Sequence, residues 1–160
     1  MKYILGCFCL FFIVFLYGCI EEKNTENEQP IVEIISPAPC DTLYFGQPFS
    51  FKIKITDNTG LGNISMDIHH NFGHHSHGDH ETCNMDLPKE AVNPYENTWI
   101  FALPPAETDY IFETEIELPE NENETTFYDF GDYHFHIYVT DNEGYQVFTT
   151  LDTKLLQGTK

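Results

Sequence analysis

The stretch DFGDYHFHIYV, at residues 129–139, decides which fold the sequence predicts. Its first five residues match the D-x-G-x-Y pattern of a tyrosine corner, in which the tyrosine hydroxyl bonds back to the chain at the edge of a β-sandwich. From the tyrosine onward, apolar residues alternate with others, which is the period of a strand with one buried face. The face predicted to point inward holds Tyr133, Phe135, Ile137 and Val139, and the outward face holds His134, His136 and Tyr138.

The same two-residue alternation recurs in other parts of the chain. Apolar residues alternate with polar ones across residues 49–56, 64–69 and 110–118, and turns rich in Gly, Asn and Asp separate the strands. No segment combines a helical period with capping residues. About seven short strands and a tyrosine corner predict an all-β fold, an immunoglobulin-like antiparallel β-sandwich.

The N-terminus has the layout of a lipoprotein signal peptide. Residues 1–18 carry one Lys and then an apolar run, which is typical of an export signal and short for a membrane span. The run ends at residues 16–19 in LYGC, which resembles a bacterial lipobox, so Cys19 is the predicted lipidation site. Residues 19–29 are polar and acidic and predict a flexible tether. The alternative is an uncleaved apolar anchor, and either form would attach the chain to a membrane.

The length, the net charge and the expected cellular location of the chain limit the classes of partner. The sandwich is predicted to span residues 30–157, with a histidine-rich loop at residues 69–83. With 26 acidic residues against 7 basic ones, the net charge is −19, which disfavours nucleic acid and anionic lipid head groups as partners. The expected location is the cell envelope, as an outer-membrane lipoprotein that faces either the periplasm or the cell surface.

Two cysteines, Cys40 and Cys83, follow the predicted lipidation site. In an oxidising compartment such a pair favours one disulfide, which would pin the histidine-rich loop to the segment between the first two strands. Cys83 could instead ligate a metal, although zinc thiolate sites normally bring cysteines in close pairs.

The loop sequence HHNFGHHSHGDHETC, at residues 69–83, contains six of the eight histidines, and the other two lie in the stretch quoted first. Neutral imidazole is the commonest protein ligand for zinc and copper. In an immunoglobulin-like sheet the strand before the loop adjoins the strand of residues 133–139, so both histidine groups would lie on one face. The predicted metal ligands are His69, His74, His75, His77, His80, His134 and His136, with Asp67 as a further ligand or as a partner that fixes an imidazole tautomer.

Three interpretations of this histidine cluster compete: a metal site of defined geometry, a loose tract that binds several ions weakly, and a polar loop without a metal. His134 and His136 favour the defined site, because a loose tract needs no partner elsewhere in the chain. Zinc suits an all-histidine or His/Asp site, and copper(II) is the close rival. No metalloprotease or serine-hydrolase signature is present, so we expect that the protein is not an enzyme.

The motifs together resemble a family of Bacteroidetes lipoproteins, domain of unknown function 4625. The resemblance covers residues 30–153 and rests on ITDNTGLG, on DIHHNFGHHSH and on GDYHFHIYVTDNEG. It implies an immunoglobulin-like fold and an envelope location, and it implies no particular activity. The predicted function is capture or buffering of zinc or copper, or its delivery to an outer-membrane metal importer. The alternative is a surface interaction or adhesion module for protein or glycan, in which the histidine loop is structural.

Overall fold

The computed structural model describes residues 28–75 and 83–158. The regular elements in these two ranges are all β-strands. Within the same ranges, no helix is long and apolar enough to span a membrane. The predicted signal peptide, Cys19 and most of the predicted tether lie outside the described residues. In chain order the strands are β1 (Ile31–Ser36), β2 (Thr42–Phe45), β3 (Pro48–Thr56), β4 (Leu61–His70), β5 (Asn97–Ala102), β6 (Asp109–Glu117), β7 (Asn121–Asn123), β8 (Thr126–Phe127), β9 (Gly131–Asp141) and β10 (Gln146–Gln157).

Eight of these strands form two sheets, and β7 pairs with β8 in a small separate ribbon. The smaller sheet has the order β1-β3-β6, and the larger has the order β2-β10-β9-β4-β5. The neighbouring strands β4, β9 and β10 correspond to the C, F and G strands of an immunoglobulin domain. The predicted all-β sandwich is therefore confirmed. One pairing is parallel, between β2 and β10, while the other pairs are antiparallel.

The core lies between the two sheets and consists of the alternating apolar faces that the sequence predicts. The inner residues of β3, β4 and β9 are all buried: Phe51, Ile53, Ile55, Ile64, Met66, Ile68, Tyr133, Phe135, Ile137 and Val139. A slip of one residue between strands would turn every one of these side chains to the opposite face. The core therefore fixes the register between β4 and β9, and with it the side chains that face outward from the larger sheet.

The tyrosine corner is formed by Tyr133, whose ring is fully buried. Its hydroxyl donates to the carbonyl oxygen of Asp129 at 2.7 Å and accepts from the amide of Tyr95 at 3.1 Å. Burial raises the pKa of this hydroxyl well above its usual value. The corner therefore fastens the segment before β5 to the start of β9.

Replacing Tyr133 by phenylalanine is expected to lower the free energy of unfolding by about 1–3 kcal/mol, because the amide of Tyr95 loses a buried acceptor. Urea denaturation measures this loss. Tyr44→Phe is the matched control, since it removes the same hydroxyl from a side chain that is 38% exposed, and it should change stability by less than about 0.5 kcal/mol. Equal losses in the two variants would contradict a special role for the corner.

Candidate metal centre

Strands β4 and β9 bring three histidines together on the outer face of the larger sheet. His69 lies opposite His134 in the strand register, and Asp67 lies opposite His136, so the three imidazoles are direct or diagonal neighbours across the two strands. One ring nitrogen from each lies within 4.8 Å of the others, and the Nε2 atoms of His69 and His134 are 2.5 Å apart. Two imidazoles that bind one tetrahedral zinc ion place their nitrogens roughly 3.3 Å apart. This spacing lies between the shortest observed nitrogen–nitrogen distance, 2.5 Å, and the upper limit of 4.8 Å.

The two histidines of β9 are buried, although they lie on the outer face. His134 is 1% exposed and His136 is 9% exposed, whereas the alternation alone predicts side chains that point outward. Neighbouring rings cover them: the ring centroid of His75 lies 5.2 Å from that of His134, and the centroid of Phe148 lies 5.2 Å from that of His136. The cluster is therefore shielded from solvent on the β9 side.

Burial also favours the protonation state that a metal requires. It lowers the pKa of His134, with His69 and His75 acting in the same direction and Asp152 opposing them. A lowered pKa keeps the imidazole neutral at neutral pH, and neutral imidazole is the form that ligates a metal.

Each of the three imidazoles has its Nδ1 atom beside a carboxylate. Oδ1 of Asp67 lies 3.0 Å from Nδ1 of His69 and 3.6 Å from Nδ1 of His136. Oδ1 of Asp152 lies 3.7 Å from Nδ1 of His134. A carboxylate at Nδ1 favours the tautomer in which Nε2 is the ligand nitrogen, and this pairing is the usual outer partner of a metal-bound histidine.

Among the loop histidines, His75 approaches the three and His74 does not. The ring centroid of His75 is 6.1 Å from that of His69, and the two planes are nearly parallel. The backbone of His74 has a φ of 55°, and its Nε2 faces Oδ2 of Asp132 at 3.5 Å. The two adjacent histidines thus lie in different environments, and the ring of His75 is the one that lies beside those of His69 and His134.

The structure therefore brings together three of the seven predicted ligands, His69, His134 and His136, and it places the ring of His75 beside those of His69 and His134. The side chain of His74 faces Asp132 instead. His77 and His80 lie outside the described residues, and their assignment as ligands stays a prediction.

Cys40 and Cys83 form a disulfide with a Cα–Cα distance of 5.3 Å, so Cys83 has no thiolate to offer a metal. The amide of Cys40 donates to the carbonyl oxygen of Asp152 at 2.9 Å, and the carboxylate of Asp152 faces His134. The disulfide thus joins the end of the histidine-rich loop to the strand that supports His134.

Asp152 is a site residue that the sequence did not indicate. It lies on β10 directly opposite His134 and is 6% exposed. A single acidic residue in a strand with weak alternation resembles any solvated side chain. The available signal was the hairpin itself, because counting outward from the turn at residues 142–144 pairs Asp141 with Tyr145 and then Asp152 with His134.

An open cleft of about 480 Å³ lies beside the cluster. It is lined by Asp67, Ile68, His69, Glu96, Asn97 and Thr98. Its two carboxylates favour a cation over an anion. Of the three clustered histidines, His69 is the one that lines the cleft, and its side chain is one-quarter exposed.

The fold and this site define an immunoglobulin-like sandwich domain with a histidine cluster on one sheet face. The chain belongs to the family described as domain of unknown function (DUF4625), whose model matches residues 17–156, and this confirms the family membership that the sequence motifs predict. A comparison with curated proteins gives no match. Among solved structures, the chain is similar to Spo0M, a sporulation control protein from Bacillus subtilis, with 7% identity and a TM-score of 0.40. That similarity covers 82% of this chain and 49% of the other.

Proposed function

We propose that this protein is a lipid-anchored protein of the cell envelope that binds zinc or copper(II) through His69, His134 and His136. The observation that carries the proposal is the convergence of these three imidazoles from two strands. A loose histidine tract would need neither the second strand nor the carboxylates that face each Nδ1 atom. We propose His75, whose ring lies beside that of His134, as the fourth ligand, with His77 and His80 as further candidates.

The ligand atoms favour a divalent ion that is intermediate between hard and soft. The converging atoms are imidazole nitrogens, whereas magnesium and calcium prefer oxygen ligands. Soft monovalent copper calls for thiolate or thioether ligands, and the two cysteines near the loop are joined in a disulfide. Zinc and copper(II) are the ions that this set fits best.

The role that suits such a site is metal capture, buffering or delivery, and not catalysis. The disulfide supports export, because disulfides persist in oxidising compartments. The lipobox at Cys19 supports an anchor in the outer membrane, and a metal importer in that membrane is the partner that delivery would require. The acidic surface supports attraction of cations and argues against nucleic acid.

One observation favours the rival function of a surface interaction module. Val92 and Phe130 are exposed apolar side chains, and they lie near each other because the amide of Val92 donates to the carboxylate of Asp129, the residue before Phe130. Exposed apolar groups that gather in one place often mark a binding surface for another protein. In that case a metal would only stabilise the loop.

Titration of the mature, untagged chain with Zn²⁺ and Cu²⁺ separates the two functions. We expect one ion per chain with a dissociation constant below about 1 μM, measured by calorimetry and checked by elemental analysis. Because the ion binds only the folded state, a concentration of 100 times that constant should stabilise the fold by about 2.7 kcal/mol. Binding weaker than micromolar for both ions would reject metal capture and leave the interaction module.

A further inference from the structure

Strand β5 is an edge of the larger sheet, and one of its two sides faces no other strand of the described chain. The amide of Leu103, just after β5, donates to the carbonyl oxygen of Gly62 on β4. Backbone groups of successive residues in a strand point to alternate sides. The amides and carbonyls of Thr98, Ile100 and Ala102 therefore point away from β4, toward the open side of the sheet.

This edge lacks the features that normally prevent strand addition, which are charges, irregular pairing and short length. On the smaller sheet, edge strand β6 carries Glu113, Glu115 and Glu117, and edge strand β1 has an irregular register with β3. At the other edge of the larger sheet, β2 has only four residues. The β5 sequence NTWIFA has no charge and no proline, its register with β4 is regular, and Ile100 is 73% exposed.

A second copy of the same strand is complementary to this edge. Twofold antiparallel pairing centred on Ile100 places the two Ile100 residues opposite each other and places Thr98 opposite Ala102 of the second copy. These are the residues whose backbone groups point outward, so each such pair can exchange both N–H···O bonds. On the inner face, Trp99 would lie opposite Phe101 of the second copy. Both rings already pack against the core, and aromatic pairs across two strands stabilise a sheet.

The charge of the chain permits this pairing, and the size of the contact limits its strength. Because β5 is uncharged, no like charges lie opposite each other within the paired strands. The net charge of −19 on each chain repels the second copy at longer range, and salt screens this repulsion. The strand supplies six residues, against roughly 20–30 a side in a standard interface, so we expect a dissociation constant of about 10–100 μM.

We propose that β5 is the interface of a homodimer, in which the five strands of each larger sheet join into one continuous sheet across a twofold axis. The inference goes beyond the proposed function and needs no metal, since the interface is an edge of the sheet and the histidine cluster lies on its outer face. It has one consequence for the site. Thr98 lines the cleft beside His69, so Ala102 of the second copy would lie next to that cleft.

Sedimentation velocity of the mature chain tests the proposal over concentrations from about tenfold below to tenfold above the expected dissociation constant. We expect a monomer that converts to a dimer across this range, at a salt concentration that screens the net charge. Ile100→Lys places two cations directly opposite each other, which destabilises a strand pair, and it should weaken the dimer by at least about 10-fold.

Ile31→Lys is the matched control for this substitution. Ile31 is 70% exposed and lies on edge strand β1 of the other sheet, so the variant makes the same change in net charge at a similar exposure. It should leave the dissociation constant within about twofold of the native value, as is usual for a surface substitution away from an interface.

Thiol cross-linking tests the register of the two strands. A hydrogen-bonded pair places its Cα atoms about 5.5 Å apart, so a bismaleimide that spans about 8 Å should link two chains that carry Ile100→Cys. Thr98→Cys is the control on the same edge, because the two copies of this position lie about 14 Å apart along the strands. It should give little cross-linked dimer, and the native chain should give none.

Three results would overturn the proposal. The first is a native chain that stays monomeric over the whole concentration range. The second is equal weakening of the dimer by Ile100→Lys and Ile31→Lys, and the third is equal cross-linking of the Ile100→Cys and Thr98→Cys variants. A dimer that is weakened only by Ile100→Lys and cross-linked only through Ile100→Cys supports it. Loss of metal binding alone would reject the proposed function and leave this inference unaffected.

Discussion

A variant that carries both His134→Ala and His136→Ala is expected to bind Zn²⁺ more than about 100-fold more weakly than the native chain. Loss of a single outer partner of a metal ligand already costs about 10–100-fold, and this variant removes two of the three converging ligands. The remaining pair, His69 and His75, would behave as a weak surface site. Competition against a chromophoric chelator measures the change over the required range.

Two single variants control for this result. His74→Ala removes a histidine from the same region whose Nε2 faces Asp132, and it should leave affinity unchanged. His69→Ala removes a less buried ligand, so it should weaken binding with a smaller cost to folding. Since both histidines of β9 are buried, near-ultraviolet circular dichroism must show that the double variant is folded. A folded double variant with native affinity would mean that the loop binds metal alone as a loose tract.

Replacing Cys40 and Cys83 together by alanine is expected to lower the free energy of unfolding by about 4 kcal/mol. The disulfide closes a loop with a sequence separation of 43 residues, and loop-closure entropy for that length gives this magnitude. Urea denaturation measures it. Zn²⁺ affinity should fall as well, because the bridge holds the end of the histidine-rich loop and because Cys40 donates to the backbone of Asp152.

The native chain treated with a reductant is the matched control for the disulfide, and its loss of stability should equal that of the alanine variant. A loss below about 1 kcal/mol in both would show that the bridge constrains the unfolded chain far less than its length implies. Unchanged Zn²⁺ affinity in a folded reduced chain would show that the site is held by the strands alone.

The faces of the strands could be predicted because alternation is local. In β9 each inward residue is identified by its parity relative to Tyr133, and the core register then follows. The proximity of His69 to His134 and His136 required one further step, the adjacency of β4 and β9 in an immunoglobulin-like sheet.

Other features of the site depend on contacts that no local pattern encodes. His134 and His136 are buried because Phe148 of β10 and His75 of the loop cover them. His74 and His75 are adjacent in sequence, yet the first faces Asp132 and the second lies beside His134. The contribution of Asp152 required the register between β9 and β10.

Along the strand direction, one end of the domain lies near Gln29, and the opposite end lies near the histidine cluster. The side chain of Gln29, near the start of the described chain, donates to the carbonyl oxygen of Gln146, which lies opposite Thr140 at the far end of β9. Six residues of strand separate Thr140 from His134, a distance of about 20 Å. The chain therefore enters the sandwich at one pole and presents its imidazoles towards the other. Under the proposed function, a protein that donates or accepts the metal would contact the domain at the pole remote from Gln29.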